Sequence, residues 1–151
     1  MNKDLDFAIE IATKAFEGKV DKGGSPYIDH LLRVKNSFRG DTKESILIVA
    51  VLHDLLEDCP EWNESILRQF FSEDIVLSVI CMTKIREENY DAYIDRVSTD
   101  YWATYVKVKD LEDNMNITRL TELTDGDCRR LKKYHRSWTK LNAVIAEFIT
   151  K

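Results

Sequence analysis

The chain has 151 residues, of which 44% are hydrophobic, and this is enough for one globular domain with its own core. Its formal net charge of −5 and isoelectric point near 5.3 argue against a general nucleic-acid or membrane-surface binder, although a local basic patch for a phosphate-bearing ligand stays open. The charged N-terminus lacks a signal-peptide core, no stretch is long enough to span a bilayer, and the three cysteines have no metal-type spacing. We therefore expect a cytoplasmic protein with reduced thiols.

The first predicted element is a helix, because apolar residues recur at helical spacing from Leu5 to Phe16. The segment 18–26, GKVDKGGSP, holds three of the five glycines and is predicted to be a loop. Taken alone, the segment is best interpreted as a loop that only connects two helices. The functional alternative is a phosphate-binding loop, in which glycines expose backbone N–H groups while Lys19 and Lys22 supply positive charge.

A second helix is predicted over Tyr27–Phe38. His30 lies on its apolar stripe rather than on its solvent-facing side. A single histidine on such a face is more often a packed core residue than a metal ligand, so its neighbours must decide between the two.

Seven consecutive apolar residues, 46–52, form the stretch around which the chain is organised. Periodicity alone cannot distinguish a buried strand from a buried helix here. The four polar residues that follow within the next six positions would span an arc of roughly 140° on a helix, whereas a strand would point the first two to opposite faces. With Asp41 as N-cap and Glu44 three residues later, the pattern predicts one central helix, Asp41–Asp58.

The final turn of that predicted helix carries His53, Asp54, Glu57 and Asp58. Clustered carboxylates repel one another and are disfavoured at a helix C-terminus. A metal ion would compensate for this arrangement. The alternative is an exposed acidic helix end beside a packed core histidine.

Three shorter helices follow, at Trp62–Phe71, at Ile75–Lys84 with Ser72 as its cap, and at Tyr90–Val97. A long helix, Asp127–Ile149, closes the chain. No strand, internal repeat or second domain is indicated.

The stretch Ser98–Thr121 places an acid where packing calls for an apolar side chain. One helical stripe there consists of Ala103, Val106, Asp110, Asn114 and Ile117. A buried Asp110 must be paired or must bind a cation, and a salt bridge to a lysine or arginine is an equally good reading of that residue alone.

Four potential ligands therefore lie on inward faces: His30, His53, Asp54 and Asp110. Two imidazoles and two carboxylates suit Mn²⁺, Fe²⁺, Zn²⁺ or Co²⁺ and leave coordination positions for water and substrate. Since no cysteine takes part, a closed structural zinc site is disfavoured, and metal-assisted hydrolysis is the chemistry to expect.

The order H…HD…D resembles that of the HD-domain metal-dependent phosphohydrolases, and the closer resemblance is to the hydrolase domain of the Rel/SpoT alarmone enzymes and their small stand-alone relatives. The matching motifs are GSPYIDH (24–30), LHDLLED (52–58), TKI (83–85) and VKVKDLEDN (106–114). They occur in the family's order, and the flanking helices extend the resemblance over nearly the whole chain.

The resemblance implies a role for each matched residue. His30, His53, Asp54 and Asp110 would be the metal ligands, and Glu57 and Asp58 would orient and deprotonate the attacking water. Substrate phosphates or the nucleoside would be contacted by Lys22, Lys84 and Asn114.

Three positions depart from the family pattern. Phe16 stands where the family often has His, Leu31 where it usually has Pro, and Asp21 near where the full-length Rel enzymes have an arginine. Asp21 belongs to the loop that helps to hold the guanine nucleotide, so the departures bear on the substrate rather than on the metal chemistry.

The sequence thus predicts an all-α fold, a single HD-domain helical bundle over residues 1–151 with a buried metal site. The expected ion is Mn²⁺, with Fe²⁺, Co²⁺ or Zn²⁺ as alternatives. The expected reaction is hydrolysis of guanosine 3′,5′-bis(diphosphate) at its 3′ position, with release of pyrophosphate. The alternatives are the same chemistry on another substrate, such as a deoxynucleoside monophosphate, or a non-catalytic metal- or nucleotide-binding helical module. We expect a small-molecule nucleotide as partner rather than nucleic acid or a membrane, and the oligomeric state is open.

Overall fold

The computed structural model describes residues 4–150, and this part of the chain is built from helices without a β-strand. The helices are α1 (Leu5–Ala15), α2 (Tyr27–Asn36), α3 (Glu44–Leu52), α4 (Leu55–Asp58), α5 (Glu64–Arg68), α6 (Glu73–Met82), α7 (Tyr90–Val97), α8 (Tyr101–Asn114) and α9 (Asp125–Thr150). A 3₁₀ turn, Ile117–Arg119, lies between α8 and α9. The all-α prediction is confirmed.

Helix α3 occupies the centre of the fold. It packs against α1, α2, α6 and α8, and every side chain from Ile48 to Leu52 is buried. Because no face of α3 meets water over residues 48–52, this stretch shows no amphipathic period, which explains why helix and strand could not be separated by periodicity. Burial of each such aliphatic side chain contributes about 1.5–3 kcal/mol to stability, so this helix anchors the core.

The central segment is two helices, and the prediction of one helix over Asp41–Asp58 is wrong. The α3 helix ends at Leu52, and α4 begins at Leu55. The Ala50 carbonyl, which a continuous helix would pair with the Asp54 N–H, instead accepts a hydrogen bond from His53 Nδ1 at 2.6 Å. Helical bonding resumes from the Asp54 carbonyl, which accepts the Asp58 N–H at 3.0 Å.

The predicted capping box at the start of this segment is also wrong. Lys43 occupies the N-cap position of α3, because a turn closed by the Thr42 N–H and the Arg39 carbonyl precedes the helix. Asp41 is exposed and lies 3.7 Å from Arg39. Glu44 instead accepts the Leu5 N–H at 3.0 Å, so it satisfies a free donor at the start of α1.

Other helix boundaries differ from their predictions by a few residues. The helix predicted over Tyr90–Val97 is found with those bounds. The one predicted over Trp62–Phe71 is only Glu64–Arg68, because the Asn63 side chain caps its start by accepting the Ile66 N–H. Ser72 stands at the N-cap of α6, but its side chain makes no capping hydrogen bond.

The stretch Ser98–Thr121 is helical only over α8. Asp100 caps this helix by accepting the Ala103 N–H at 2.8 Å, and the helix ends at Asn114. Ile117 therefore lies in the 3₁₀ turn and is 37% exposed, so it does not extend the buried stripe. The C-terminal helix α9 begins at Asp125 and packs against α7 and α8.

The buried apolar residues from Ala8 in α1 to Leu141 in α9 form one continuous cluster. The three cysteines are free thiols. Among residues 4–150, no helix is both long and apolar enough to cross a bilayer.

Candidate metal centre and substrate cavity

Three structural elements bring the four predicted ligands together. His30 comes from α2, His53 and Asp54 from the junction of α3 and α4, and Asp110 from α8. The helices α2, α3 and α8 pack against one another, which places these side chains at their common interface. Only 4% of His30, 1% of His53 and 3% of Asp110 is exposed.

The ligand atoms face one another at distances that suit a shared ion. His30 Nε2 lies 3.0 Å from Asp110 Oδ1, and His53 Nε2 lies 3.3 Å from the same oxygen. Asp54 Oδ2 is 3.2 Å from His53 Nε2 and 3.8 Å from His30 Nε2. Donor atoms bound to a divalent ion at about 2.1 Å lie about 3–4 Å apart. The ligand atoms of His30, His53 and Asp110 all lie within 4.8 Å of one another, so these three residues suit one ion, and Asp54 lies beside the two imidazoles.

His53 provides the sharpest sign that this centre is built to hold a cation. Its Nδ1 donates to the Ala50 carbonyl, which directs Nε2 towards Asp54 and Asp110. That Nε2 atom is fully buried and, despite the two nearby carboxylate oxygens, makes no hydrogen bond of adequate geometry to residues 4–150. An imidazole nitrogen left in this way is suited to coordinate an ion, and the fixed Nδ1 proton sets the tautomer that coordination requires.

Asp110 forms the salt bridge that its sequence position allowed, and its other oxygen faces the proposed metal centre. Its Oδ2 forms a salt bridge with the half-buried Lys107 at 2.8 Å, while its Oδ1 faces the two imidazoles and accepts a hydrogen bond from Asn114 at 3.0 Å. Burial alone would raise the pKa of Asp110, but the charges of Lys107 and His53 hold it well below its ordinary value. The residue is therefore a carboxylate, which is the form that binds a cation.

His30 is held from its other side by Asp113, a residue that the sequence did not single out. His30 Nδ1 lies 2.6 Å from Asp113 Oδ2, and Asp113 also accepts from Arg33 at 2.9 Å and Arg119 at 3.3 Å. Burial lowers the pKa of His30, but its hydrogen bonds with Asp110 and Asp113 outweigh burial and raise the pKa to about 9.

Asp54 has a comparable partner in Tyr27, whose hydroxyl donates to Asp54 Oδ2 at 2.6 Å. The Tyr27 ring stacks on Phe16 with 5.0 Å between centroids, so the apolar Phe16 supports a residue that touches the site. Burial raises the pKa of Asp54, but the neighbouring His53 outweighs it and lowers the pKa below its ordinary value.

The acid pair Glu57 and Asp58 lies one turn beyond the ligands, in α4. Glu57 accepts the backbone N–H of Lys84 at 3.0 Å, which orients its carboxylate. Although Asp58 is exposed overall, desolvation of its carboxyl group, with the charges of Asp54 and Glu57, raises its pKa to about 6. A carboxylate with a pKa this close to neutrality is suited to accept a proton.

A cavity of about 310 Å³ opens beside the centre. Lys22 and Asn114 line it together, as does Tyr27, so the cavity wall is hydrogen-bonded directly to Asp54 and Asp110. Lys84 does not line this cavity. Its exposed side chain borders a separate cavity of about 430 Å³.

The glycine-containing loop is organised by Asp21. One carboxylate oxygen of Asp21 accepts the N–H groups of Gly23 at 2.9 Å and Ser25 at 3.0 Å, and Gly24 takes a positive φ of 85° in this turn. Lys19 is committed elsewhere, because its Nζ donates to the Asp58 carbonyl at 2.6 Å. Lys22 alone of the two loop lysines is available to a ligand in the cavity.

Sequence reasoning missed the residues that surround the ligands: Tyr27, Arg33, Lys107, Asp113 and Arg119. A signal existed for two of them. Asp113 and Lys107 each lie three positions from Asp110 and therefore share its helix face. Tyr27 was assigned to the apolar stripe of α2, where its ring does pack, but its hydroxyl reaches the site.

Comparisons with known proteins identify the family of the chain and a structure with a similar fold. The chain is 34% identical over 88 residues to the guanosine-3′,5′-bis(diphosphate) 3′-pyrophosphohydrolase of Borreliella burgdorferi (strain ATCC 35210 / DSM 4680 / CIP 102532 / B31), a match that covers 56% of this chain and only 13% of that relative's length. A solved structure described as a metazoan ortholog of SpoT that hydrolyses ppGpp and plays a role in starvation responses superimposes with a TM-score of 0.75 at 18% identity, over 91% of this chain and 84% of that one. The family model of the HD domain matches residues 8–105, and the chain therefore belongs to the HD domain family.

Proposed function

We propose that this protein is a metal-dependent phosphohydrolase, and that its substrate is guanosine 3′,5′-bis(diphosphate), cleaved at the 3′ position with release of pyrophosphate. The observation that carries the proposal is the meeting of His30, His53, Asp54 and Asp110 beside a cavity and an acid pair. The named activity of the Borreliella relative and the ppGpp hydrolysis described for the metazoan protein support the choice of substrate.

The proposed ligands are His30, His53, Asp54 and Asp110, and the proposed ion is Mn²⁺, with Fe²⁺, Co²⁺ and Zn²⁺ as alternatives. When bound, such an ion supplies Lewis acidity and lowers the pKa of coordinated water. The protein's own contribution begins with orientation, since Ala50 and Asp113 fix the two imidazole rings from behind.

The acid pair supplies the proton acceptor in this proposal. Asp58, with its pKa near 6, accepts the proton of the attacking water, and Glu57 orients that water while its other contact to the Lys84 N–H keeps it in place. Asn114 spans the metal centre and the cavity, so it positions the substrate against Asp110. Lys22 contacts the substrate from the loop, and Lys84 contacts it from the second cavity.

The decisive experiment is metal analysis of the purified protein, followed by Mn²⁺-supplemented hydrolysis assays on guanosine 3′,5′-bis(diphosphate), other nucleotides and deoxynucleoside monophosphates. We expect release of pyrophosphate from the bis(diphosphate) and its loss on chelation. Turnover of only a deoxynucleoside monophosphate would reject the alarmone and keep the reaction class. Retention of metal without turnover of any substrate would instead support a non-catalytic module.

The two proposed lysines can be tested separately. A charge-assisted phosphate contact is worth roughly 1.5–3 kcal/mol, so Lys22→Ala should lower kcat/KM about tenfold or more, with a smaller loss at high salt. Lys84→Ala should lower kcat/KM to a similar extent only if the substrate also reaches the second cavity. Lys35→Ala is the matched control, because Lys35 is a partly exposed lysine of α2 that does not line the cavity. An unchanged kcat/KM for Lys22→Ala would remove that residue from the substrate site.

A further inference from the structure

The segment between α6 and α7, residues 83–88, supplies the backbone donor that orients Glu57. Its Lys84 N–H donates to Glu57 Oε1 at 3.0 Å, although the two residues lie 27 positions apart in the chain. The direction of the Glu57 carboxylate therefore depends on where this segment is held. In the proposed reaction, a shift of the segment would displace the group that orients the attacking water.

The segment contains a turn with an unusual backbone conformation. Glu87 has a φ of 67°, which lies in the left-handed region that residues other than glycine rarely adopt. Around it, the Glu88 N–H donates to the Ile85 carbonyl at 3.0 Å, and the Ile85 N–H donates to Glu88 Oε1 at 3.1 Å. A turn of this kind persists only where the surrounding contacts determine its shape.

Arg96, in α7, makes those contacts. Its Nη2 donates to the Thr83 carbonyl at 2.8 Å, and its Nη1 donates to the Cys81 carbonyl at 3.0 Å. The same guanidinium group donates through Nε and Nη2 to the two carboxylate oxygens of Glu88, at 3.0 and 2.9 Å. All three guanidinium nitrogens are thus bonded to the end of α6 and the segment after it. This planar set of donors is one that a lysine cannot reproduce.

Tyr93 adds a second contact from α7 to the same helix end. Its hydroxyl donates to the Met82 carbonyl at 2.5 Å, and its ring centroid lies 5.5 Å from the Arg96 guanidinium. Three consecutive carbonyls, those of residues 81–83, therefore accept hydrogen bonds from side chains of α7 at a helix end where carbonyls lack intrahelical partners. The hydrogen bond with Arg96 lowers the pKa of Glu88 to about 2, so this pair stays ionised.

From these contacts we infer that Arg96 is a positioning residue for the proposed hydrolysis. Together with Glu88, it fixes residues 83–85 so that the Lys84 N–H orients the Glu57 carboxylate. The role rests on the proposed phosphohydrolase function, in which Glu57 acts on the attacking water.

Substrate binding is the alternative role for Arg96, because its side chain also borders the 430 Å³ cavity. The hydrogen bonds of its three nitrogens favour positioning, since these donors are already used within the protein. The two roles differ in their kinetic effects. Loss of a positioning residue lowers kcat, whereas loss of a substrate contact made equally in the ground and transition states raises KM.

The main variant is Arg96→Met, which keeps an aliphatic stem against the Tyr93 ring and removes the donors. With Mn²⁺ and guanosine 3′,5′-bis(diphosphate), we expect kcat to fall about 10- to 100-fold and KM to change less than about twofold. Arg96→Lys keeps the charge but has one ammonium group in place of the fork, so its kcat should fall about fivefold or more. This second variant carries the test if Arg96→Met does not unfold cooperatively. A wild-type kcat in Arg96→Lys, or a raised KM with unchanged kcat, would overturn the role.

A double variant shows whether Arg96 acts through Glu57. In Glu57→Gln the carboxylate that Arg96 helps to position is absent, so adding Arg96→Met should lower kcat by less than about a further twofold. A purely structural residue would instead lower kcat by the same factor in both backgrounds. A further loss of about tenfold or more in the Glu57→Gln background would therefore contradict the positioning role.

Arg68→Met is the matched control. Arg68 is an exposed arginine that also pairs with a glutamate, Glu73, at 3.0 Å, but it bonds to the start of α6 rather than to its end. Its replacement should leave kcat and KM at their wild-type values.

Amide hydrogen exchange separates this role from the reaction itself. In the metal-free protein, NMR should show the Lys84 amide exchanging about tenfold faster or more in Arg96→Met and at the wild-type rate in Arg68→Met. If the wild-type protein cleaves no nucleotide, the proposed function fails, but faster exchange would still establish that Arg96 holds the donor to Glu57. An unchanged exchange rate in Arg96→Met would reject the role, whatever the protein hydrolyses.

Discussion

His30 Nδ1 lies 2.6 Å from Asp113 Oδ2, so a carboxylate holds the ring of a proposed metal ligand from the side opposite the centre. The same carboxylate accepts from Arg33 and Arg119. Burial raises the pKa of Asp113, but its hydrogen bonds with His30 and Arg33 outweigh burial and lower that pKa, so the carboxylate stays ionised. Arg119 also lines the cavity, so a hydrogen-bond network through Asp113 joins the cavity wall to His30. A partner of this kind fixes the tautomer of the histidine and raises its basicity as a ligand.

Removal of that carboxylate should weaken metal binding. In Asp113→Ala, His30 loses the acceptor that orients it, and we expect the affinity for Mn²⁺ to fall about 10- to 100-fold. The unfolding free energy should change less, because Arg33 and Arg119 are about one third exposed and can be hydrated after the loss of their partner. Competition with a fluorescent chelator measures the affinity, and urea denaturation of the metal-free protein measures the stability.

The matched control is Glu112→Ala, which removes the neighbouring acid on α8. Glu112 pairs with Lys109 at 3.2 Å, away from the metal centre. Its affinity for Mn²⁺ should equal that of the wild type. If Asp113→Ala and Glu112→Ala bind Mn²⁺ equally well, Asp113 has no role in positioning His30.

Metal binding should release protons near neutral pH. The hydrogen bonds of His30 with Asp110 and Asp113 raise its pKa to about 9 against burial, so without metal its ring is protonated at pH 7.5. An ion can bind Nε2 only after that atom has lost its proton. Calorimetric titration in two buffers of different ionisation enthalpy should therefore show release of about one or more protons for each Mn²⁺ bound. Identical apparent enthalpies in both buffers would argue against His30 as a ligand.

The raised pKa of His30 also determines how the stability of the metal-free protein depends on pH. In the metal-free protein, the folded-state pKa of His30 is raised from its ordinary 6.5 to about 9. The stabilisation that protonated His30 gives the folded state is therefore fully present below pH 6.5 and is lost as the pH rises towards 9. Over that window the affinity for metal increases, so the difference in melting temperature between Mn²⁺-loaded and chelated protein should grow. A difference that shrinks with rising pH would contradict the assignment.

Replacement of Glu57 separates catalysis from metal binding. Glu57→Gln retains a carbonyl oxygen that can accept the Lys84 N–H, so the local fold and the bound metal should be kept. Loss of the carboxylate should reduce kcat about 100-fold or more. Glu61→Gln, on the exposed segment after α4, serves as the control. Turnover of Glu57→Gln at the wild-type rate would leave Asp58 as the sole proton acceptor.

The helices were predictable wherever the chain alternates between core and solvent, as over Tyr90–Val97. The break at His53 was not, because it depends on one side-chain hydrogen bond to the Ala50 carbonyl that no periodicity encodes. Asp41 failed as a cap for a similar reason, since a turn from Arg39 to Thr42 shifts the start of α3. Local competition of this kind is decided by tertiary packing rather than by propensity.

The residues of the candidate site were likewise only partly predictable from the sequence. An acid on the buried stripe of α8 marked Asp110 in the sequence, because burial without a partner is costly. The partners of Asp113 and Tyr27 became visible only when α2 was placed beside α8 and beside the junction of α3 and α4, since these partners lie 83 and 27 residues away in the chain. The proposed ligands are thus local exceptions to a sequence pattern, whereas the residues that orient them are set by interhelical geometry.

Lys107 provides a last prediction, on stability. Its ammonium group is buried and lies 2.8 Å from Asp110 Oδ2, above the face of Tyr93. Lys107→Met preserves the aliphatic volume but leaves Asp110 facing the interior with one oxygen unpaired, so the metal-free protein should lose about 3–5 kcal/mol of unfolding free energy. Lys109→Met breaks the more exposed pair with Glu112 and should cost less than about 1 kcal/mol. Urea denaturation measures both variants, and equal losses would show that the Lys107–Asp110 pair is not buried in solution.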